Sequence, residues 1–196
     1  MQYEYVNGIG QDSHRFMQPC EAQLRTADKW PKKLKLGGVV FEGETPLVAN
    51  SDGDAVLHAL TNAISGVTGV NVLGYIADQM CKQGITDSAA YLAKSLDFAK
   101  QQGWELTHIS FSLECKRPKI TPMIGPMKER IGQLTGLNPM RIGITATSGE
   151  NLTRFGEGEG IMVICSVTMR RDENAAPFEA PGALESSATT EIDALD

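Results

Sequence analysis

The 196-residue sequence predicts an α+β fold, with a mixed β-sheet that carries its helices on one face. Three observations support this prediction. Apolar residues alternate in some segments and recur at helical spacing in others, glycines separate these segments, and 41% apolar residues suffice for one ordinary core. Read along the chain, the segments follow the order β-β-α-α-β-α-β-β, which implies a mixed sheet covered by helices on one side.

The first half of the chain contains two predicted strands and one predicted helix. Residues 3–12 form the first strand and residues 34–41 the second. Ser51 or Asp52 is a suitable N-cap for the helix that follows, because both side chains accept hydrogen bonds from helical N–H groups. That helix is indicated by apolar residues at helical spacing: Val56, Leu60, Ala63, Ile64 and Val67. Three glycines then predict a flexible connection over residues 66–85, of the length that is typical of lids.

The second half contains two more predicted helices and three strands. Thr86 or Asp87 caps a helix that runs to about Gln102, and Gly103 ends it. The remaining predicted elements are a strand over 109–115, a helix over 121–134, and strands over 140–147 and 159–170.

The charges divide the chain into a body and a tail. Residues 172–196 carry seven acidic residues and no Lys or Arg, whereas residues 1–171 carry 17 acidic and 18 basic residues. We therefore expect residues 1–171 to form one domain and residues 172–196 to be a disordered acidic tail, because the tail has too few apolar residues to offset its ordering entropy. The nearly neutral body gives no support for nucleic-acid binding.

Other sequence features indicate the cell compartment. No apolar run reaches the length of a membrane span, and the N-terminus lacks the pattern of a secretory signal, so we expect a cytoplasmic protein without a membrane partner. The four cysteines are scattered without a C-x-x-C pair, which favours neither a disulfide framework nor a thiolate zinc site.

Two of the three histidines lie in sequences that suit a metal site. Asp12 and His14 share one strand face because strand side chains alternate, and His58 lies on the first predicted helix. If the helix packs on that face, one carboxylate and two imidazoles converge, which is the ligand count of a catalytic zinc. The alternative is that each histidine is a separate hydrogen-bonded structural residue. Asp54 lies four residues before His58 on the same helix face, and we expect it to orient this histidine.

Several motifs in order along the chain resemble one enzyme family. They are Asp12-x-His14, Ser51-Asp52-Gly53-Asp54 with His58, Asp87-Ser88, Arg117-Pro118-Lys119-Ile120-x-Pro122, Ala146-Thr147-Ser148-Gly149-Glu150 and Gly156-x-Gly158-Glu159-Gly160. This succession is similar to that of the 2-C-methyl-D-erythritol 2,4-cyclodiphosphate synthases, which act in non-mevalonate isoprenoid synthesis. The resemblance runs from about residue 8 to residue 170. It implies a homotrimer whose active sites lie between neighbouring subunits.

The resemblance also implies roles for individual residues. Asp12, His14 and His58 would be the zinc ligands, and Glu150 would hold a second divalent cation, Mg²⁺ or Mn²⁺. Asn50, Ser148 and Glu150 would be catalytic, with Asn50 at a position where the family usually has a histidine. The substrate, a cytidine diphosphate, would be bound by Asp12, Ser13, His14, Asn50, Ser51, Gly74, Asp78, Cys115, Pro118, Lys119, Ile120, Ala146, Thr147, Ser148 and Glu150.

The implied reaction fits the absence of a nucleophilic triad in the sequence. Attack of a 2-phosphate on the β-phosphorus of the same molecule closes a cyclic diphosphate and releases CMP. Two anionic groups must approach each other, and divalent cations neutralise their charges and hold them in line. Two alternatives stay open at this point: a zinc phosphohydrolase acting on a nucleotide diphosphate, and a non-catalytic trimeric homologue.

Overall fold

The computed structural model describes residues 2–18 and 33–174. Within these ranges the strands are β1 (Tyr3–Arg15), β2 (Leu34–Leu36), β3 (Val39–Phe41), β4 (Glu105–Glu114), β5 (Ile142–Thr147) and β6 (Gly160–Asp172). The α-helices are α1 (Ala55–Thr68), α2 (Ala77–Lys82), α3 (Ser88–Gln101), α4 (Ile124–Thr135) and α5 (Arg154–Glu157). The predicted acidic tail lies outside the described residues from position 175 onward.

The main sheet has four strands in the order β1-β6-β4-β5 and is mixed, as the sequence predicts. β6 pairs antiparallel with both β1 and β4, whereas β4 and β5 are parallel. Alternate residues of β6 point to the buried side, where they form one core with α1: Ile161, Val163, Cys165, Val167 and Met169. The opposite side exposes apolar side chains, including Tyr5 at 61% and Ile9 at 72%.

Helix α1 lies unusually close to β1. A Cβ atom added to Gly8 would lie 2.1 Å from the carbonyl oxygen of Ala63, and one added to Gly10 would lie 2.2 Å from that of Ala59. Any side chain at either glycine would therefore push the helix away from the strand. These two glycines allow the close packing that brings His58 of α1 to the end of β1.

The predicted strand over residues 34–41 is wrong in one respect, because it is a hairpin of two short strands. Gly37 and Gly38 have φ angles of +61° and +75°, and they reverse the chain between β2 and β3. Two consecutive residues at positive φ form the turn that matches the twist of paired strands, and glycine adopts this conformation without steric cost.

The predicted flexible connection over residues 66–85 is also wrong in part. Helix α1 continues through Gly66 to Thr68, residues 72–76 form a kinked turn in which Leu73 and Gly74 have non-helical angles, and α2 follows directly. A second apolar cluster explains why part of this segment is helical, because Val72, Ala77 and Tyr91 are buried together. Their burial provides the packing energy that the glycine-based prediction did not consider.

The start of α1 differs from the prediction as well. The N-cap is Asp54 and not Ser51 or Asp52, since the Asp54 side chain accepts hydrogen bonds from the N–H groups of Val56 and Leu57. The other helix boundaries agree with the sequence. Asp87 caps α3. One 3₁₀ turn precedes α4, and Gly136 in the left-handed conformation ends this helix.

Candidate active site

Three side chains that the sequence predicts to converge lie together at the end of β1. Oδ2 of Asp12 lies 2.9 Å from Nε2 of His14 and 3.2 Å from Nδ1 of His58. The two histidine nitrogens are 3.4 Å apart, and one ligand atom from each residue lies within 4.8 Å of the others. The close packing of α1 on β1 produces this arrangement, which we name the triad.

The hydrogen bonds of His14 orient one lone pair toward the triad. Its Nδ1 lies 3.0 Å from the carbonyl oxygen of Val48, which accepts only, so Nδ1 carries the proton. Nε2 is then an acceptor that faces the Asp12 carboxylate. Two acceptors at 2.9 Å repel each other unless a proton or a cation lies between them. The donor set therefore fits a divalent metal held by one oxygen and two nitrogens.

Burial and mutual contacts shift the acid–base properties of the triad. Burial works against the charged form of Asp12, but its interactions with the side chains of His14 and His58 outweigh it and lower the pKa of Asp12 to about 2. Burial also disfavours the charged form of His14, yet the hydrogen bond and the charge of Asp12 raise the pKa of this histidine above its ordinary value. A metal at this site would compete with a proton for the same His14 lone pair, so its binding would weaken as the pH falls.

The expected role of Asp54 is wrong. Its carboxylate is fully buried and accepts hydrogen bonds from the N–H groups of Gly37 and Gly38 at 2.8 and 2.6 Å, besides capping α1. It therefore joins the β2–β3 turn to the helix. Within the described chain, the Asp54 carboxylate does not contact the imidazole of His58. Instead, Nε2 of His58 lies 2.9 Å from the hydroxyl oxygen of Ser88 and 3.3 Å from that of Ser51.

A cavity of about 270 Å³ opens beside the triad. Four further predicted substrate contacts line it, namely Asn50, Ser51, Gly74 and Asp78. Asn50 and Asp78 are exposed, and Ser51 is buried against His58. The sequence did not indicate the remaining lining residues: Ala49, Asn62, Leu73, Ala77, Cys81 and Tyr91.

The other predicted substrate contacts lie elsewhere. Ser13 points to the opposite face of β1 and lines a second cavity of about 380 Å³ with Arg154 and Phe155. Residues 115–120 follow β4, and residues 146–150 include the last two residues of β5 and the turn after it. The carboxyl ends of these two strands meet because the strands are parallel. Within the described chain, neither segment lines the cavity of the triad.

The sheet register gives the separation between these two groups. Asp12 pairs with Val163, Val163 with Leu113, and Leu113 with Ala146, so one row crosses all four strands. Three inter-strand spacings separate the ends of this row, which is about 14 Å. The triad and the Ala146–Thr147 segment thus lie at the same end of the sheet but on opposite edges.

Glu150 has an uncommon backbone conformation. Its φ and ψ angles are 47° and 30°, in the left-handed region that residues other than glycine seldom adopt. The hydroxyl of Ser148 donates a hydrogen bond to Oε1 of Glu150 at 2.8 Å, and the side chain is otherwise exposed. Strained residues of this kind are concentrated at functional sites, and this one exposes its carboxylate after the end of β5.

Comparison with known proteins places these features in one family. The model of the YgbB family matches residues 5–170. The chain belongs to the YgbB family. A curated 2-C-methyl-D-erythritol 2,4-cyclodiphosphate synthase from Chlamydia trachomatis serovar A is 42% identical to this YgbB-family chain over 166 residues, which cover 84% of the chain and 88% of that protein.

Solved structures agree with the family assignment. The bifunctional IspDF of Campylobacter jejuni matches 87% of this YgbB-family chain with a TM-score of 0.75 and 29% identity, and the match spans 43% of that longer protein. A 2C-methyl-D-erythritol-2,4-cyclodiphosphate synthase in its CDP-bound form matches 84% of the chain and 99% of its own length, with a TM-score of 0.70 and 25% identity.

A further observation limits the chemistry of this YgbB-family site. Cys115 is buried, and burial raises the pKa of its thiol to about 11, so the side chain stays protonated and is not a nucleophile. Among the described residues, no helix is both long enough and apolar enough to cross a membrane.

Proposed function

We propose that this protein is a metal-dependent cyclase, a phosphorus–oxygen lyase of isoprenoid precursor synthesis in the cytoplasm. It converts 4-diphosphocytidyl-2-C-methyl-D-erythritol 2-phosphate to 2-C-methyl-D-erythritol 2,4-cyclodiphosphate and releases CMP. The observation that carries the proposal is the triad of Asp12, His14 and His58 beside an open cavity, in a family whose curated relatives have the name of this enzyme.

In the proposed reaction, an oxygen of the 2-phosphate forms a bond to the β-phosphorus. The bond between this phosphorus and the bridging oxygen of the α-phosphate breaks, and the electron pair leaves with CMP. The triad would hold Zn²⁺ and Glu150 would hold Mg²⁺ or Mn²⁺. Bound there, these cations act as Lewis acids that neutralise the approaching phosphates.

The remaining contacts of the proposal bind and orient the substrate. Thr147 and Ser148 are exposed at the end of β5, where their hydroxyls can donate to phosphate oxygens. Asn50 is exposed at the cavity of the triad and can donate from its amide. We assign the cytidine to residues 115–121 together with Ala146. We assign the erythritol to Gly74 and Asp78, which line the cavity.

The proposal includes a homotrimer with active sites between subunits. A phosphate held at Thr147 would lie about 14 Å from a metal at Asp12 within one chain, judged from the strand spacing. Cations that act on one diphosphate must lie within a few ångströms of it, roughly 4 Å apart in two-metal sites. One chain therefore supplies two half-sites, and a neighbouring chain would bring them together. The exposed Tyr5 and Ile9 on the uncovered sheet face support burial by another copy.

Mixing two inactive variants tests the shared site. Co-refolding His58→Ala chains with Glu150→Gln chains should restore about a quarter of the sites in a cyclic assembly, because each restored site takes its triad and its Glu150 from different chains. We expect CMP release to return in the mixture but not in either variant refolded alone. A mixture that forms mixed trimers by native mass spectrometry and stays inactive would rule out sites built from two chains.

Replacing Asn50 tests whether this residue contacts the reacting phosphates. The Asn50→Ala variant should lose a hydrogen bond to a charged group, roughly 1.5–3 kcal/mol, which corresponds to about a tenfold to hundredfold lower turnover. Asn50→His should be tolerated and should add an ionisation near the ordinary histidine pKa of about 6.5. The measurement is the pH profile of kcat for the three proteins. Equal profiles for Asn50→Ala and the parent would show that Asn50 does not contact the substrate.

The metal requirement provides a further test of the proposal. Protein treated with a chelator should release no CMP from the expected substrate, and adding Zn²⁺ with Mg²⁺ should restore the release, measured by chromatography. CMP release that is unaffected by the treatment, with metal content confirmed as zero, would contradict the proposed mechanism.

A further inference from the structure

The two ring nitrogens of His58 face different surroundings. Nδ1 faces the triad, 3.2 Å from Oδ2 of Asp12, whereas Nε2 faces the buried side, 2.9 Å from the hydroxyl oxygen of Ser88. A neutral imidazole carries its proton on one nitrogen only, and a metal binds the other one. His58 can therefore bind a metal through Nδ1 only when the proton is on Nε2.

The hydroxyl of Ser88 has two polar neighbours, and one of them sets its direction. Its oxygen lies in very close contact with Oδ1 of Asp52, besides its contact with His58. A carboxylate accepts hydrogen bonds and cannot donate them. The Ser88 proton therefore points to Asp52, and its lone pair points to His58. Ser88 is fully buried, so no solvent competes for either bond.

Lys35 pairs with the Asp52 carboxylate and fixes its orientation. Nζ of Lys35 lies 2.8 Å from Oδ2 of Asp52 and 2.9 Å from Oδ1 of Asp87. Burial works against the charge of Lys35, but these two hydrogen bonds outweigh it and raise the pKa of the lysine above its ordinary value. The backbone N–H of Ser88 also donates to Oδ2 of Asp52, at 3.2 Å.

We propose that Ser88 and Asp52 are positioning residues that hold the proton of His58 on Nε2 and so leave Nδ1 free for the metal. The chain of donors runs from His58 to Ser88 to Asp52, and Lys35 fixes its far end. This inference rests on the proposed metal site, and it assigns a role to Ser88 and Asp52 that the sequence did not indicate. Partners of this kind orient a ligand and raise its affinity for the metal.

The Asp52→Asn variant tests the direction of the hydrogen bonds that run from His58 through Ser88 to residue 52. Its amide oxygen must stay toward the Lys35 ammonium, so its NH₂ group faces Ser88 and donates to it. The Ser88 hydroxyl then turns and donates to Nε2 of His58, which favours the proton on Nδ1. We expect Zn²⁺ affinity to fall about 10- to 100-fold, measured by competition with a chromophoric chelator. Nitrogen NMR of the metal-free protein near pH 8 should show a larger fraction of His58 protonated on Nδ1.

The Asp87→Asn variant is the matched control. It removes the same charge beside the same lysine, but Asp87 does not contact Ser88 Oγ, and asparagine is also a good N-cap for α3. The Asp87 side chain is 59% exposed, so we expect less than about a fivefold change in Zn²⁺ affinity and an unchanged proton position on His58. Thermal melting should show that both variants are folded.

The outcomes separate this inference from the proposed function. A parent protein that binds no Zn²⁺ contradicts the proposed metal site and this inference with it. A parent and an Asp52→Asn variant that bind Zn²⁺ equally, with the His58 proton on Nε2 in both, contradict the inference alone. If Asp52→Asn does not fold, Ser88→Ala replaces it, since it removes the nearer of the two hydroxyl oxygens beside Nε2 and leaves only that of Ser51, at 3.3 Å. We expect about tenfold weaker Zn²⁺ binding for this variant, and unchanged binding would overturn the inference.

Discussion

The His58→Ala variant is expected to lose stoichiometric zinc and almost all activity. It removes one of three metal ligands, and the remaining two, Asp12 and His14, lie on one strand without the helix-borne partner. Loss of several kcal/mol of charge stabilisation corresponds to a decrease in turnover on the order of 1000-fold. Zinc per subunit is measured by atomic emission, and turnover is measured by CMP release.

His108→Ala is the control for this substitution, because His108 is the third histidine of the chain and lies exposed on β4. We expect the parent zinc content for this variant. Since Asp12 and His14 become accessible to water beside the space left by the imidazole, His58→Ala should also fold. A folded His58→Ala protein with one zinc per subunit would contradict the assignment of the triad.

Replacing Glu150 by glutamine should distinguish the effect of the second cation on activity from that of the zinc. Gln keeps the size of Glu and the oxygen that accepts the Ser148 hydrogen bond, so only the charge changes. We expect a full zinc content and a decrease in kcat of about 100-fold, in the range of losses from removing one electrostatic contact in the transition state. Higher Mg²⁺ concentrations should restore part of the rate, because the weakened site then fills by mass action.

The matched control for Glu150→Gln is Glu129→Gln, which makes the same change at an exposed position of α4. Its kcat and its Mg²⁺ dependence should equal those of the parent. Parent kinetics for Glu150→Gln as well would show that this acid does not hold a cation and that its left-handed conformation serves the turn alone.

The part of the site that the sequence predicted depends on local geometry. Asp12 and His14 are two residues apart on a strand, and strand alternation alone places both on one face. His58 lies in the first turns of a helix. Its side chain reaches that face if the helix packs on the sheet. The glycines at positions 8 and 10 made this packing closer than the apolar pattern alone implies.

The part that the sequence did not predict depends on contacts between distant segments. The partner of His58 is Ser88, 30 residues away, whereas the expected partner Asp54 is drawn to the β2–β3 turn by two glycine N–H groups. Neither contact follows from helical spacing. Likewise, the glycines of residues 66–85 suggested an irregular segment, but α2 forms within it because Ala77 is buried with Val72 and Tyr91. Local propensity is a weak signal where tertiary packing opposes it.

The identity of the phosphorus-containing product tests the central claim most directly. Phosphorus NMR of a completed reaction, with Zn²⁺ and Mg²⁺ present, distinguishes a cyclic diphosphate from open-chain phosphates. The proposed mechanism predicts two mutually coupled diphosphate signals from the cyclic product together with one equivalent of CMP, and neither in the His58→Ala sample. Open-chain phosphate monoesters formed by the parent protein would show that water is the nucleophile and would contradict a cyclase.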